Sequence, residues 1–203
     1  MAKPSPNTRE LVLRAALKRF ADAGYAATSV QDIVDDARVS KPALYYHFSD
    51  KAGLFQALVN QAHDERYRVI EEAVAGKKTF RAQAEAMLAA LFGYFRENRE
   101  LMRLAFSTML AAPGEVPENF SCTEKCERNF EFFHDIIQQA QKKGELDRQF
   151  DSRELAFGFY GLANFYLVAH LVCPHCEPDR LTARKIVELF LSGAAAKAGG
   201  RAA

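Results

Sequence analysis

Four cysteines are the side chains of this sequence whose types and spacing most clearly suit chemistry. Cys122 and Cys126 are four residues apart, and Cys173 and Cys176 flank a Pro-His pair. Four thiolates in two such pairs suit a tetrahedral zinc ion, and His175 can replace one of them. The same residues can instead form reversible disulfides or pack as small buried side chains, and the spacing leaves all three open. Zinc, structural or sensory, is the cofactor that the sequence suggests.

The two cysteine pairs can meet only if the helices that carry them lie side by side. Apolar periodicity predicts helices over about residues 119–143 and 151–172, with the turn near Gly144. Cys122 and Cys173 then lie at matching heights, each about 32 Å from the turn at 1.5 Å per residue. A helical hairpin therefore predicts one site that contains all four cysteines.

A second group of side chains surrounds a short helix predicted to follow Ser40. Ser40 is a favourable N-cap, and Pro42 lies in the first turn, where no N–H is missed. Leu44 and Phe48 point inward. The rest of the circumference carries Lys41, Ala43, Tyr45, Tyr46 and His47. A solvated helix gains nothing from two exposed tyrosines beside a lysine and a histidine, so this surface is predicted to bind a partner.

Two further helices must position that surface. Thr28 and Gln31 have the spacing of a capping box, which predicts a second helix that ends near Arg38. Asn7 and Glu10 similarly cap a first helix, and Gly24 is predicted to end it. The three elements together form a helix-turn-helix preceded by a supporting helix.

The run VSKPALYYHFSDKAGLF, preceded by TSVQDIVDDA and by a helix ending in FADAGY, resembles the DNA-binding domain of the TetR family of bacterial transcriptional repressors. The resemblance covers roughly residues 8–60. Arg38 stands where the family usually has glycine in the turn. A non-glycine residue at positive φ costs about 1 kcal/mol. Either the turn is slightly altered, or Arg38 is tolerated there and reaches a phosphate.

The resemblance implies a homodimer that binds a short palindromic operator and releases it when a small-molecule effector enters the C-terminal domain. Carried over by position, the residues expected at base edges are Gln31, Lys41, Pro42 and Ala43. Those expected at phosphates are Thr28, Ser29, Tyr45, Tyr46, His47 and Lys51. Phosphate contacts set the register of the protein on DNA, and base contacts set its sequence preference.

The whole chain is predicted to be all-α, with about nine helices. After the first three, helices are expected over about 50–74, 80–96, 99–111, 119–143, 151–172 and 179–196. The predicted domains are a DNA-binding domain over residues 1–52 and an effector-binding and dimerisation domain over residues 53–203.

The last two helices and the aromatic residues of the second domain carry the remaining expectations. Small residues around Gly158, Gly161 and Ala163 suit close helix approach, so the last two helices are predicted to form the dimer interface.

Aromatic and polar side chains are candidates for the effector pocket, although aromatic residues are more often simply core. These candidates are Phe92, Phe95, Phe106, Phe133, His134, Tyr160 and Asn164.

Composition narrows the class of function further. The net charge is only +1, so DNA affinity must come from placed contacts rather than from a large positive field. No Ser/His/Asp set, carboxylate pair or glycine-rich phosphate loop suggests an enzyme. A cytoplasmic protein without a membrane span is expected. The alternative to an organic effector is a metal- or redox-responsive regulator that senses through Cys122, Cys126, Cys173 and Cys176.

Overall fold

The computed structural model describes residues 8–173 and 178–194, and this part of the chain forms nine α-helices, which confirms the all-α prediction. The helices are α1 (Thr8–Ala27), α2 (Val30–Ala37), α3 (Lys41–His47), α4 (Lys51–Val74), α5 (Phe80–Glu97), α6 (Arg99–Ser107), α7 (Thr123–Lys142), α8 (Ser152–Val172) and α9 (Arg180–Ala194). One turn of 3-10 helix over Thr108–Leu110 follows α6. The described residues contain no β-strand, only an isolated bridge between Pro113 and Val116.

The start of α2 differs from the prediction by one residue. Its capping box is formed by Ser29 and Asp32, in which the Ser29 hydroxyl accepts from Asp32 N at 3.1 Å and the Asp32 carboxylate accepts from Ser29 N at 2.9 Å. Thr28 was predicted as the cap with Gln31. It is instead buried, and its hydroxyl donates to the Gly24 carbonyl at 2.8 Å. That bond spans the point where Gly24 leaves helical geometry (φ 80°, ψ 169°) inside α1.

The helix α7 begins later than the predicted residue 119. The backbone before it is held by side chains that are distant in sequence. The Phe120 and Phe55 rings pack edge to face with their centres 5.5 Å apart. The Gln56 amide donates to the Ser121 carbonyl and accepts from Ser121 N. These contacts hold residues 120 and 121 outside the helix. By contrast, α8 begins where predicted, since the Asp151 carboxylate accepts from Arg153 N and Glu154 N.

The contacts divide the chain into two units. The first unit comprises residues 1–64 and 98–123, and the second comprises 65–97 and 124–203. The division therefore passes through α4 and groups α6 with the N-terminal helices, unlike the predicted boundary at residues 52/53. The reason is that α6 packs on α1, where the Arg103 guanidinium donates to the Ala21 carbonyl at 3.2 Å.

Each unit has its own apolar core. The core of the first unit is lined by Val12, Ala16, Phe20, Ile33, Leu44 and Phe55. In the second unit, α5 packs on α8 and α9. Its core includes Leu88, Phe95, Phe133, Phe159, Leu167 and Val187.

Within the described residues, the helix α8 is long and apolar enough to cross a membrane by length and composition. The sequence was expected to contain no such segment. The 21 residues of α8 include Arg153, Glu154 and His170, so the sequence contains no uninterrupted apolar run of that length.

Candidate functional site

The turn between α2 and α3 keeps the geometry that normally calls for glycine. Arg38 adopts the left-handed conformation (φ 54°, ψ 44°), and within the described residues it is the one non-glycine residue with positive φ. Val39 N donates to the Val34 carbonyl at 3.1 Å, and Arg38 N donates to the Asp35 carbonyl at 3.2 Å. These two bonds form a Schellman closure. The turn is therefore unaltered, and Arg38 is tolerated in the glycine position.

The inward face of α3 fixes which of its side chains reach solvent. Ser40 caps the helix by accepting from Ala43 N at 3.3 Å, and Pro42 lies in the first turn, as predicted. Leu44 is completely buried. The opposite side of the helix exposes Tyr46 by 85% and Tyr45 by 49%. Lys41, Pro42 and His47 are exposed as well.

The helix α2 is fastened to α1 by an ion pair. The Arg19 guanidinium donates two hydrogen bonds of 2.6 Å to the Asp36 carboxylate. The hydrogen bond from Arg19 lowers the pKa of Asp36. Of the predicted DNA contacts on and before α2, Ser29 and Gln31 are exposed, and the Gln31 amide donates to Asp35 at 2.7 Å.

Thr28 and Lys51, two residues predicted to contact phosphates, lie at the junction between α1 and α2. Thr28 is only 3% exposed. The Lys51 ammonium donates to the carbonyls of Tyr25 at 2.9 Å and Thr28 at 2.8 Å, and it lies 4.2 Å from the centre of the Tyr25 ring. Burial lowers the pKa of Lys51. In this structure both residues hold the junction between α1 and α2, and neither presents its side chain with the exposed group on α3.

The junction itself is an aromatic cluster. Tyr25 packs edge-on against Phe55 at 5.1 Å and lies 5.9 Å from Phe20. Burial and the nearby Asp50 raise the pKa of Tyr25. The last carbonyls of a helix lack partners within that helix. The end of α1 therefore predicts that a cationic side chain donates to them, and Lys51 is that side chain.

Most aromatic candidates for the effector pocket are packed in the core. Phe92, Phe95 and Phe133 are buried in the second unit, and Phe133 stacks on Phe159 at 4.9 Å. Phe106 belongs to the first unit, so the predicted set is divided between the two units. Phe92, Phe95 and Phe133 are core residues in the structure described, whereas Phe106 is half-buried.

His134 has polar partners on both ring nitrogens. Its Nδ1 lies 3.1 Å from the Glu131 carboxylate, and its Nε2 lies 2.9 Å from the Ser152 hydroxyl. The hydrogen bond with His134 is the main cause of the lowered pKa of Glu131. The Arg153 guanidinium, 2.7 Å from the Glu131 carboxylate, lowers that pKa as well. This network joins α7 to the start of α8, which is a structural role.

Tyr160 and Asn164 have a cationic neighbour that the sequence analysis did not name. Arg66 is only 7% exposed, donates to the Asn164 amide oxygen at 2.9 Å, and lies 5.2 Å from the centre of the Tyr160 ring. The sequence does indicate that Arg66 is buried, because it lies four residues from both Ala62 and Ile70 on the buried face of α4. A charged residue on an apolar stripe is a signal of a polar site.

The cysteines are only partly described. Cys122 directly precedes α7 and Cys126 lies in its first turn, and both are half-buried. Cys173 follows α8 and donates its N–H to the Ala169 carbonyl at 2.8 Å. Cys176 and His175 lie outside the described residues. The site of four cysteines therefore stays a prediction.

A family model described as bacterial regulatory proteins, tetR family, matches residues 12–58. The transcriptional activator FasR of Mycolicibacterium smegmatis is 31% identical over 124 residues, which is 61% of this chain and 57% of FasR. A protein assigned to repression of the acrEF/envCD operon in Escherichia coli is 25% identical over 153 residues, 71% of this chain and 67% of that protein. The chain spans only about half the length of the first curated relatives, 57% and 53%.

Solved structures share the fold over nearly the whole chain. A bacterial regulatory protein of the tetR family from Rhodococcus RHA1 has a TM-score of 0.74 and 22% identity, covering 95% of this chain and 99% of that one. The SmeT–triclosan complex has a TM-score of 0.70 and 21% identity, covering 95% and 94%.

Proposed function

We propose that the chain, whose residues 12–58 match the model of the tetR family of bacterial regulatory proteins, is a non-enzymatic, cytoplasmic transcriptional repressor of that family. It binds a palindromic operator as a homodimer and leaves it when a small molecule binds the second unit. The observation that carries the proposal is the exposed side of α3, where tyrosines, a histidine and a lysine surround a helix with a buried inner face.

The helix α3 is the element that enters DNA. The major groove, about 12 Å wide, admits one α-helix. Lys41, Pro42 and Ala43 at its start, with Gln31 from α2, then meet base edges. Ser29, Tyr45, Tyr46 and His47 meet phosphates on either side. Arg38 projects from the turn and adds a further cation for a phosphate.

Variants of Tyr46 test this assignment. A hydrogen bond to a charged group contributes about 1.5 kcal/mol or more, and a dimer contains two copies, so Tyr46→Phe should weaken binding by about 100-fold. The operator is first selected from a random duplex library, and affinities are measured by fluorescence anisotropy. The matched control is Tyr67→Phe in α4, which should bind like the parent. If Tyr46→Phe alters the preferred sequence without a general loss, the phosphate assignment of Tyr46 is wrong.

A strip of exposed apolar and small residues on α8 supports the homodimer. Its members, at alternating spacings of three and four residues, are Gly158, Gly161, Phe165, Val168 and Val172. Phe165 is 74% and Val172 is 78% exposed. A Cβ added at either glycine would meet nothing within 4 Å, so packing inside the chain does not require glycine there. A second copy of α8 approaching closely does explain the glycines.

The helix α9 extends the same interface with Leu181 and Leu189, which are both more than half exposed. Two copies each of α8 and α9 form a four-helix bundle. In such a dimer the two α3 helices meet successive major grooves, about 34–36 Å apart. Because dimerisation covers the apolar strip, it accounts for the hydropathy of α8 without a membrane.

We place the effector beside Arg66, Tyr160 and Asn164 in the second unit, where a buried cation, an amide and an aromatic face are in contact. Triclosan in the SmeT complex supports a small organic ligand as the kind of effector. An effector shifts the operator equilibrium only by its different affinity for the two states. A compound found by thermal-shift screening should therefore lose both its shift and its effect on operator binding in Asn164→Leu. If both persist, the effector lies elsewhere.

A further inference from the structure

A cavity of about 390 Å³ lies in the first unit, between the end of α1 and the helix α6. This volume is within the range of pockets that hold small organic molecules, roughly 300–1,000 Å³. Every residue that lines the cavity belongs to the first unit. It is therefore separate from the effector site that we place beside Arg66. We propose that this cavity binds a small aromatic carboxylate, which pairs with the guanidinium of Arg103.

Small residues at the end of α1 leave this volume open. Gly24 lines the cavity and departs from helical geometry (φ 80°, ψ 169°). A positive φ favours glycine. The neighbouring residues of the lining are alanines, namely Ala21, Ala23, Ala26 and Ala27. Their side chains fill little of the space beside the kink, so the cavity is a product of the local sequence ADAGYAA.

Aromatic rings form the apolar wall of the cavity. Phe20 and Phe55 are 3% and 2% exposed, and their rings pack edge to face with centres 5.3 Å apart. The centre of the Tyr25 ring lies 5.1 Å from that of Phe55 in a similar arrangement. All three rings line the cavity, together with Leu104. Aromatic rings favour such contacts with a further ring, so this wall selects a ligand with an aromatic body.

Arg103 supplies a positive charge at the cavity. It is exposed, and its Nη2 donates to the Ala21 carbonyl at 3.2 Å. That bond holds the guanidinium beside the cavity and uses one of its five N–H donors. The planar fork of an arginine matches the two oxygens of a carboxylate. A carboxylate can therefore bond to Arg103 while the ring that carries it lies against Phe20 and Phe55.

The other charged residue of the lining, Glu115, has a role in its own loop. Its carboxylate accepts from Ala112 N at 2.9 Å, and its N–H donates to the Ala112 carbonyl at 3.0 Å. These bonds close the loop that follows α6. A carboxylate ligand is repelled by Glu115, so Glu115→Gln should tighten its binding.

A ligand in this cavity would act directly on the unit that carries α3. Tyr25 lines the cavity, and its ring and carbonyl both contact Lys51. Lys51 in turn holds the junction between α1 and α2. A compound bound here is therefore expected to alter operator affinity without contacting the second unit. That expectation rests on the proposed DNA binding, whereas the binding site itself does not.

The probe is 2-naphthoate, titrated into the full chain by isothermal calorimetry. We expect one site per chain with a Kd on the order of 0.1 mM, as suits a ligand of this size. Loss of the charge pair should weaken binding about tenfold. Arg103→Gln should show that loss with 2-naphthoate, and the parent should show it with the uncharged 2-naphthamide. The matched control, Arg14→Gln, removes an exposed arginine elsewhere on α1 and should bind like the parent.

Filling the cavity provides a second test. Ala111 lines the cavity, whereas the adjacent Ala112 is exposed and does not. Ala111→Phe should abolish binding of 2-naphthoate, and Ala112→Phe should leave it unchanged. In amide correlation spectra, the Gly24 signal should shift on binding, while that of Gly144 in the second unit should not. Thermal unfolding of each variant identifies loss of fold.

Absence of saturable heat with the parent protein would overturn the proposal. So would parental affinity in Arg103→Gln together with a loss in Asn164→Leu, since that pattern places the ligand at the effector site of the second unit. Tighter binding of 2-naphthylmethylammonium than of 2-naphthoate would make Glu115 the recognised charge and contradict the carboxylate. Operator binding by the ligand-free parent tests the repressor proposal separately, because it does not depend on this cavity.

Discussion

Replacing Arg38 with glycine should make the protein more stable while weakening its binding to DNA. Arg38 holds a left-handed conformation (φ 54°, ψ 44°), which costs an L-residue about 1–2 kcal/mol. Glycine removes that strain, but it also adds about 0.5–1 kcal/mol of unfolded-state entropy. The net gain should be about 0.5–1 kcal/mol, or a rise in Tm of about 2 °C for a chain of this length.

The loss of DNA affinity has a separate cause. The Arg38 side chain is exposed and cationic, and each phosphate neutralised by a protein contributes about 0.9 to the slope of log affinity against log salt. A dimer contains two copies of Arg38. The slope should therefore fall by about 1.8 when arginine is replaced, with weaker binding on every sequence.

Arg38→Ala separates the two effects. Alanine removes the same charge but keeps a Cβ in the left-handed turn, so it should reproduce the altered salt slope without the gain in stability. Stability is measured by urea unfolding and DNA binding by anisotropy at several salt concentrations. Equal stability of the glycine and alanine variants would refute the strain argument. An unchanged salt slope in both would show that Arg38 contacts no phosphate.

Three further changes test other parts of the molecule. Phe165→Glu places a charge in the exposed strip of α8 and should give monomers in sedimentation analysis; a dimer at micromolar concentration would contradict the proposed interface. Lys51→Met leaves the carbonyls of Tyr25 and Thr28 without their donor and should cost about 2–3 kcal/mol in urea unfolding; a loss of DNA affinity at unchanged stability would instead restore its phosphate role. Burial raises the pKa of Tyr94 to about 12, so its contribution to stability is full below pH 10 and is lost as pH rises towards 12; ultraviolet titration should show a phenol ionising there that is missing in Tyr94→Phe.

The features that the sequence predicted correctly depend on short-range patterns. The cap at Asp151 and the cap at Ser40 each involve residues within three positions of one another. Helical periodicity is equally local, which is why the number of helices agrees with the described chain. The exposed side of α3 follows directly, since burying Leu44 and Phe48 determines which residues face outward.

The errors arise where a residue has two local options and a distant contact selects one. Thr28 and Ser29 are both acceptable caps, but the Thr28 hydroxyl bonds to Gly24 at the kink of α1, so Ser29 caps the helix. The start of α7 is decided by Gln56 and Phe55, some 65 residues earlier in the chain. The contacts of Lys51 with carbonyls 23 and 26 residues away depend on distant residues in the same way, and its phosphate contact stays a prediction. Spacing within one helix carries no information about such contacts.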